Sequence, residues 1–187
     1  METKIQHVCP VWLGYFLINP FRKYFQNPEA MLLPYVKPDM KAVDYGCAMG
    51  YFSLPLAQLV GKNGQVYAID IQQKMLNSLT KRAEKTGLNH IIKTVLITEN
   101  TNFNELTGQI DFVLLFYMVH EVPDKQELFE TIGKMVKSGG LVLFAEPRGH
   151  VSKTAFGNSV ALAEMQGFHE LQKINVKGSH AVVLTKI

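Results

Sequence analysis

From residue 41 onward the chain alternates short β-branched runs with longer amphipathic segments, the pattern of a largely parallel sheet covered by helices on both faces. Strands are expected over 41–45, 65–70, 91–97, 110–118, 141–146, 167–176 and 181–186. Helices are expected over 52–60, 72–86, 125–136 and 152–166, with 101–106 too short to assign. The link 177–179 is too short for a helical crossover, so the last two strands must be antiparallel neighbours in a mixed sheet. Asp124 with Glu127, and Asp70 with Gln73, read as capping boxes, and Ser138-Gly139-Gly140 should end the helix before the fifth strand. Residues 1–40, with prolines at 10, 20, 28, 34 and 38, read as a pre-segment of short helices and turns. Residues 41–187 read as one domain.

Composition excludes several classes. Nineteen Lys and Arg against sixteen Asp and Glu give +3 without the basic runs of a nucleic-acid surface. Two cysteines, Cys9 and Cys47, make neither a disulfide framework nor a zinc site, so no metal is expected and a reducing cytoplasm fits best. The apolar run from Val11 to Ile18 is too short to span a membrane.

The chemistry concentrates in Val43-Asp44-Tyr45-Gly46-Cys47-Ala48-Met49-Gly50-Tyr51-Phe52, a strand running into a glycine loop and then a helix. Such loops lie at the carboxyl edge of a parallel sheet, where open α/β folds bind ligands. The dinucleotide pattern GxGxxG, set on Gly46, asks for small residues at 48 and 51 and finds Ala48 and Tyr51. The phosphate-loop pattern lacks its lysine. What matches is acid-x-Gly-x-Gly-x-Gly, at Asp44, Gly46, Ala48 and Gly50, with alanine in one glycine place. A second acid, Asp70, ends the next apolar strand, where a carboxylate can accept both hydroxyls of a ribose.

These features resemble the class I S-adenosylmethionine-dependent methyltransferases over roughly residues 35–187. Ile110-Asp111-Phe112-Val113-Leu114, His120-Glu121-Val122-Pro123-Asp124, Lys137-Ser138-Gly139-Gly140-Leu141 and the terminal hairpin add to the likeness. The resemblance implies a three-layer α/β/α Rossmann-like fold whose seven-stranded mixed sheet has the order 3-2-1-4-5-7-6, with strand 7 antiparallel. It implies S-adenosylmethionine as cofactor and S-adenosylhomocysteine as product. Tyr45, Gly46, Cys47, Ala48 and Gly50 would support its amino-acid part, Asp44 its ammonium and Asp70 its ribose. Ile71 would cover the adenine, Glu99 and Asn100 would meet the adenine amino group, and Phe116 with Tyr117 would lie by the methionine end. Ala48 is the main departure from the pattern.

Methyl transfer is an in-line displacement that asks for alignment, exclusion of water and, for some acceptors, a base. His120 beside Glu121 is the first candidate base; Glu146-Pro147-Arg148-Gly149-His150 supplies the second. The aromatics Trp12, Tyr15, Phe16, Phe21, Tyr24 and Phe25 are expected to form a lid that suits a small apolar acceptor. No Asn/Asp-Pro-Pro-Tyr/Phe or Pro-Cys motif follows the fourth strand, which argues against methylation of adenine nitrogen, glutamine amide or cytosine carbon. The leading expectation is a cytoplasmic small-molecule methyltransferase, monomeric or homodimeric. A non-catalytic S-adenosylmethionine-binding protein of the same fold is the alternative, and an NAD(P)-dependent oxidoreductase the third reading.

Overall fold

The computed structural model describes residues 26–187. A short helix α1 (Pro28–Leu32), capped by Asn27, precedes β1 (Lys41–Tyr45). Then follow α2 (Ser53–Val60), β2 (Gln65–Asp70), α3 (Gln73–Lys85), β3 (Ile92–Leu96) and β4 (Ile110–Phe116). The chain continues through α4 (Lys125–Met135), β5 (Val136–Pro147), α5 (Lys153–Glu164), β6 (Phe168–Lys173) and β7 (Ser179–Lys186). The strands form one sheet of order β3-β2-β1-β4-β5-β7-β6, with β7 antiparallel to both neighbours. This is the expected Rossmann-like architecture.

β4 shows why the central strands read as continuous apolar runs. Phe112, Leu114 and Phe116 pack into one core cluster with Leu56, Val60 and Leu79, while Val113 and Leu115 join the opposite cluster of Phe129, Ile132 and Phe144. Leu32 and Val36 are buried in the first cluster, so the described part of the pre-segment belongs to the core. The edge strand β6 buries only Phe168 and is bulged between Glu170 and Gln172, features that discourage further strand pairing. Among the described residues no helix is long and apolar enough to cross a membrane.

Two local expectations need correction. Ser138–Gly140 does not separate helix from strand: Val136 already leaves α4 extended and pairs with Ile110. The next pair is Phe112 with Leu141, so residues 137–140 bulge past Asp111, which Lys137 holds in an ion pair. Asp70 and Gln73 form no capping box either. The N-cap of α3 is Gln72, which makes no side-chain capping bond, and Asp70 faces the glycine loop instead. By contrast Asp124 does cap α4, accepting from the Glu127 N–H at 2.9 Å.

Chain order reverses between β1 and β4, which lie side by side and parallel. Their carboxyl ends therefore open the crevice in which a ligand can lie.

Candidate active site

Beyond β1 the chain turns through Gly46, Ala48 and Gly50, all at positive φ (75°, 47° and 81°). The loop's donors point inward. The Gly46 and Cys47 N–H groups both bond the Ile69 carbonyl, at 2.8 and 3.0 Å, and the Gly50 N–H bonds the Cys47 carbonyl at 2.9 Å. The Ala48 N–H bonds Asp70 Oδ2 at 2.8 Å. Loops that cradle phosphates keep such N–H groups for the anion; here four of them are engaged within the protein. The glycines also make room. A Cβ on Gly46 would stand 2.8 Å from the Met118 Cβ, and one on Gly50 would stand 2.2 Å from Leu79 Cδ1. Ala48 holds a methyl group in the left-handed region, at a cost of about 1–2 kcal/mol.

Two carboxylates flank the loop. Asp44, 3% exposed, accepts from the Ser53 hydroxyl at 2.5 Å. Asp70 takes the Gln72 N–H on Oδ1 at 2.8 Å and the Ala48 N–H on Oδ2 at 2.8 Å. Burial pushes the Asp70 carboxyl above its usual range, against the pull of the Gln72, Ala48 and Ile71 N–H groups. Burial, with Asp44 and Asp70 adding to it, also raises the Cys47 thiol well above its ordinary value. Cys47 is therefore no nucleophile.

These residues line a cavity of about 640 Å³ at the carboxyl edge of the sheet. Its described lining contains six carboxylates, Asp44, Asp70, Glu99, Glu121, Asp124 and Glu127, and no lysine or arginine; its basic side chains are His120 and His150. Tyr45 is pushed up to about 12 by burial and by Glu127. In a chain of net charge +3, this concentration of negative charge suits a cationic ligand that donates hydrogen bonds. S-adenosylmethionine, with its ammonium, sulfonium and ribose hydroxyls, fits that donor and charge set; a pyrophosphate does not.

On the β4–β5 side, residues 119–121 form a single 3-10 turn that Glu146, 1% exposed at the end of β5, holds from beneath. Glu146 Oε1 accepts from the N–H groups of Val119 at 2.8 Å and His120 at 3.3 Å. Its Oε2 contacts His120 Nδ1 in a short hydrogen bond. Burial raises the Glu146 carboxyl above its ordinary value, while His120 and the two backbone donors hold it down. The two backbone donors suit an ionised carboxylate, which can only accept, and against that form the neutral ring carries its proton on Nδ1. In that tautomer Nε2, 4.0 Å from Glu121 Oε1, keeps its lone pair free. His150 stands edge-on to His120 with ring centroids 5.7 Å apart.

Tyr117, next to the turn, has a φ of 61°, uncommon for a bulky residue. Its ring stacks on Phe116, and its hydroxyl meets the Ser179 hydroxyl and accepts from Gln26 Nε2 at 2.7 Å. The Tyr51 hydroxyl donates to the Gln26 carbonyl at 2.8 Å. Gln26 thus joins the glycine loop to the β4 loop.

Asp44, Tyr45, Gly46, Cys47, Ala48, Asp70, Ile71, Glu99, Phe116, Tyr117, His120 and His150 all line the cavity; Gly50 and Asn100 are not among its described lining residues. Gly50 packs on Leu79 instead. Cys9 and the six aromatics expected to form a lid lie outside the described residues. Sequence reasoning missed the Ser53–Asp44 bond, Met118 against Gly46, and above all the pairing of His120 with Glu146. Glu146 was visible as part of the second candidate-base stretch, at the same sheet edge, but nothing local pairs it with a histidine 26 positions earlier.

Residues 36–179 match the sequence profile of the methyltransferase-domain family. The demethylmenaquinone methyltransferase of Bacillus mycoides is 31% identical over 121 residues, 63% of this chain and 49% of that protein. Its counterpart in Bacillus cytotoxicus is 29% identical over 118 residues, with the same coverage. The chain thus spans about half the length of the curated relatives it matches. The crystal structure of an S-adenosylmethionine-dependent methyltransferase from Aquifex aeolicus superposes with a TM-score of 0.85 at 21% identity, covering 96% of this chain and all of that one. The profile covers most of the chain, which therefore belongs to the methyltransferase-domain family and shares the fold of its structural neighbours.

Proposed function

We propose that the protein transfers a methyl group from S-adenosylmethionine to a small-molecule acceptor, with His120 as base. The observation that carries this reading is the acidic cavity beside a glycine loop whose N–H groups are already engaged. Asp44 lies toward the cofactor's ammonium, Asp70 toward the ribose hydroxyls, and Glu99 and Ile71 border the adenine. Bound there, the cofactor supplies an electrophilic methyl group on a sulfonium. The chain aligns it, excludes water and takes up the acceptor's proton. The six carboxylates disfavour a nucleic-acid phosphate. Gln26, hydrogen-bonded to Tyr51 and Tyr117 across the edge, supports a role for the segment before β1 in enclosing the acceptor. The buried free thiol of Cys47 suits a reducing cytoplasm.

Calorimetric titration with S-adenosylhomocysteine should show binding, and the absence of heat at any attainable concentration would end the proposal. Asp70→Ala should weaken binding more than about tenfold, roughly 1.4 kcal/mol. The pH dependence has opposite signs for binding and folding. Because burial raises the folded Asp70 carboxyl above its ordinary value, its contribution to stability is fully present below that ordinary value and lost as pH rises through the folded pKa. Ribose binding needs the ionised form. Affinity should therefore fall on acidification through the folded pKa, without Asp70 driving acid unfolding; a Kd flat with pH would mean that Asp70 only pins the loop.

A further inference from the structure

The acceptor end of the cavity has a charge pattern of its own. His120 Nε2 and Glu121 Oε1 stand 4.0 Å apart, both in the lining, with Glu146 holding the other imidazole nitrogen from the buried side. One nitrogen can bridge two acceptors at that separation, donating a hydrogen bond of about 2.8–3.0 Å to each. A hydroxyl has one proton and serves one of the two, whereas an ammonium serves both. Phe116, Tyr117, Met118 and Val122 supply apolar lining to the same cavity.

We propose that the methyl acceptor is an apolar amine, bound as its ammonium between Glu121 and His120. This rests on the methyltransferase reading and adds the acceptor's chemical class to it. Charge decides between an amine and a phenol. When an ammonium gives its proton to Nε2, one cation replaces another in the same field of Glu121 and Glu146. When a phenol gives up that proton it leaves an anion beside Glu121, and like charges at such separations repel strongly. An acceptor carrying a carboxylate meets the same repulsion. In the reaction the ammonium N–H bond breaks and the proton joins Nε2. The freed lone pair then forms the N–C bond as the C–S bond breaks, its electron pair going to sulfur. The products are an N-methylammonium and S-adenosylhomocysteine, and the imidazolium proton leaves to water.

The full chain, saturated with S-adenosylhomocysteine, is titrated calorimetrically with two shape-matched trios: phenethylamine, phenethyl alcohol and phenylacetate, then tryptamine, tryptophol and indoleacetate. In at least one trio the amine should bind roughly tenfold tighter than the alcohol, as a charge-assisted hydrogen bond provides, with the acid weakest. Glu121→Gln should abolish that preference while S-adenosylhomocysteine still binds, and labelled donor should place its methyl on the preferred amine. No amine preference in either trio, whether because the alcohol or acid binds as well or because nothing binds, overturns the proposal. So does a preference that survives Glu121→Gln. Failure of S-adenosylhomocysteine to bind at the outset is a different result, which removes the methyltransferase reading underneath.

Discussion

The two halves of the cavity, proposed above to hold the cofactor and the acceptor, are built by different means. The cofactor half is made from nearly contiguous chain: Asp44 through Ser53 with Asp70 closing the loop, held by backbone N–H groups and three positive φ angles. The acceptor half joins a 3-10 turn after β4 to a carboxylate at the end of β5, and its central contact is between two side chains. In the first, local sequence chooses a backbone shape. In the second, the register of two parallel strands brings together groups that local sequence does not relate. The halves meet where the bare Cα of Gly46 admits Met118.

Glu146→Gln is the strongest test of whether the acceptor half works as a unit. Glutamine can still accept from the N–H groups of Val119 and His120, but its amide offers N–H to Nδ1 where the carboxylate accepted. The imidazole should then carry its proton on Nε2, and the nitrogen that served as base becomes a donor. Transfer of labelled methyl should fall by about 10²–10⁴-fold, the range of general-base contributions, with S-adenosylhomocysteine affinity essentially unchanged. The nitrogen-15 spectrum of the His120 ring should show the proton moving from Nδ1 to Nε2. If rate and spectrum both stay put, Glu146 is only a brace for the turn, and the two halves differ less than their construction suggests.

Gly50→Ala probes the other half. The new methyl would meet the fully buried Leu79 at a backbone φ of 81°. Left-handed strain and overpacking together should cost roughly 2–4 kcal/mol, read as a lower midpoint of urea unfolding. In the folded fraction the His120 ring signals should be unmoved. Ring signals that shift along with stability would show that strain in the loop passes through Gly46 and Met118 into the acceptor half.

The same contrast explains what could be read from the chain. Strands β1 and β2 fall where expected because each is a short apolar run bounded by turn chemistry, and Lys177-Gly178-Ser179 could only be a reversal. Asp44, Gly46 and Asp70 were legible because a glycine loop between strand and helix fixes their neighbourhood. Asp70, read as the ribose carboxylate, also read as a capping-box residue, and that second reading failed, since a spacing of three residues does not say which N–H a carboxylate will face; it took those of Gln72 and of Ala48 in the neighbouring loop. The beginning of β5 was misplaced because Val136 pairs ahead of a bulge that only the neighbouring strand defines. His120 stood out for its residue type. Its partner did not, because the strand order and register that align Glu146 beneath it are properties of the folded sheet.

Ala48→Gly carries the smallest effect and bears on the most local feature. If alanine at φ 47° is strained, glycine should recover about 1–2 kcal/mol of left-handed penalty. The greater freedom that glycine gives the unfolded chain offsets about 0.4–1 kcal/mol of this. The net gain should be roughly 0.5–1 kcal/mol, a rise of a few degrees at most in Tm for a chain of this length. The Ala48 N–H keeps its bond to Asp70, so S-adenosylhomocysteine affinity should change by less than about threefold. A loss of stability instead would mean that the Ala48 methyl, half-buried in the wall of the cavity, contributes more by packing than it costs in backbone strain. The departure from glycine would then be part of how this cofactor half is shaped, and not a tolerated defect within it.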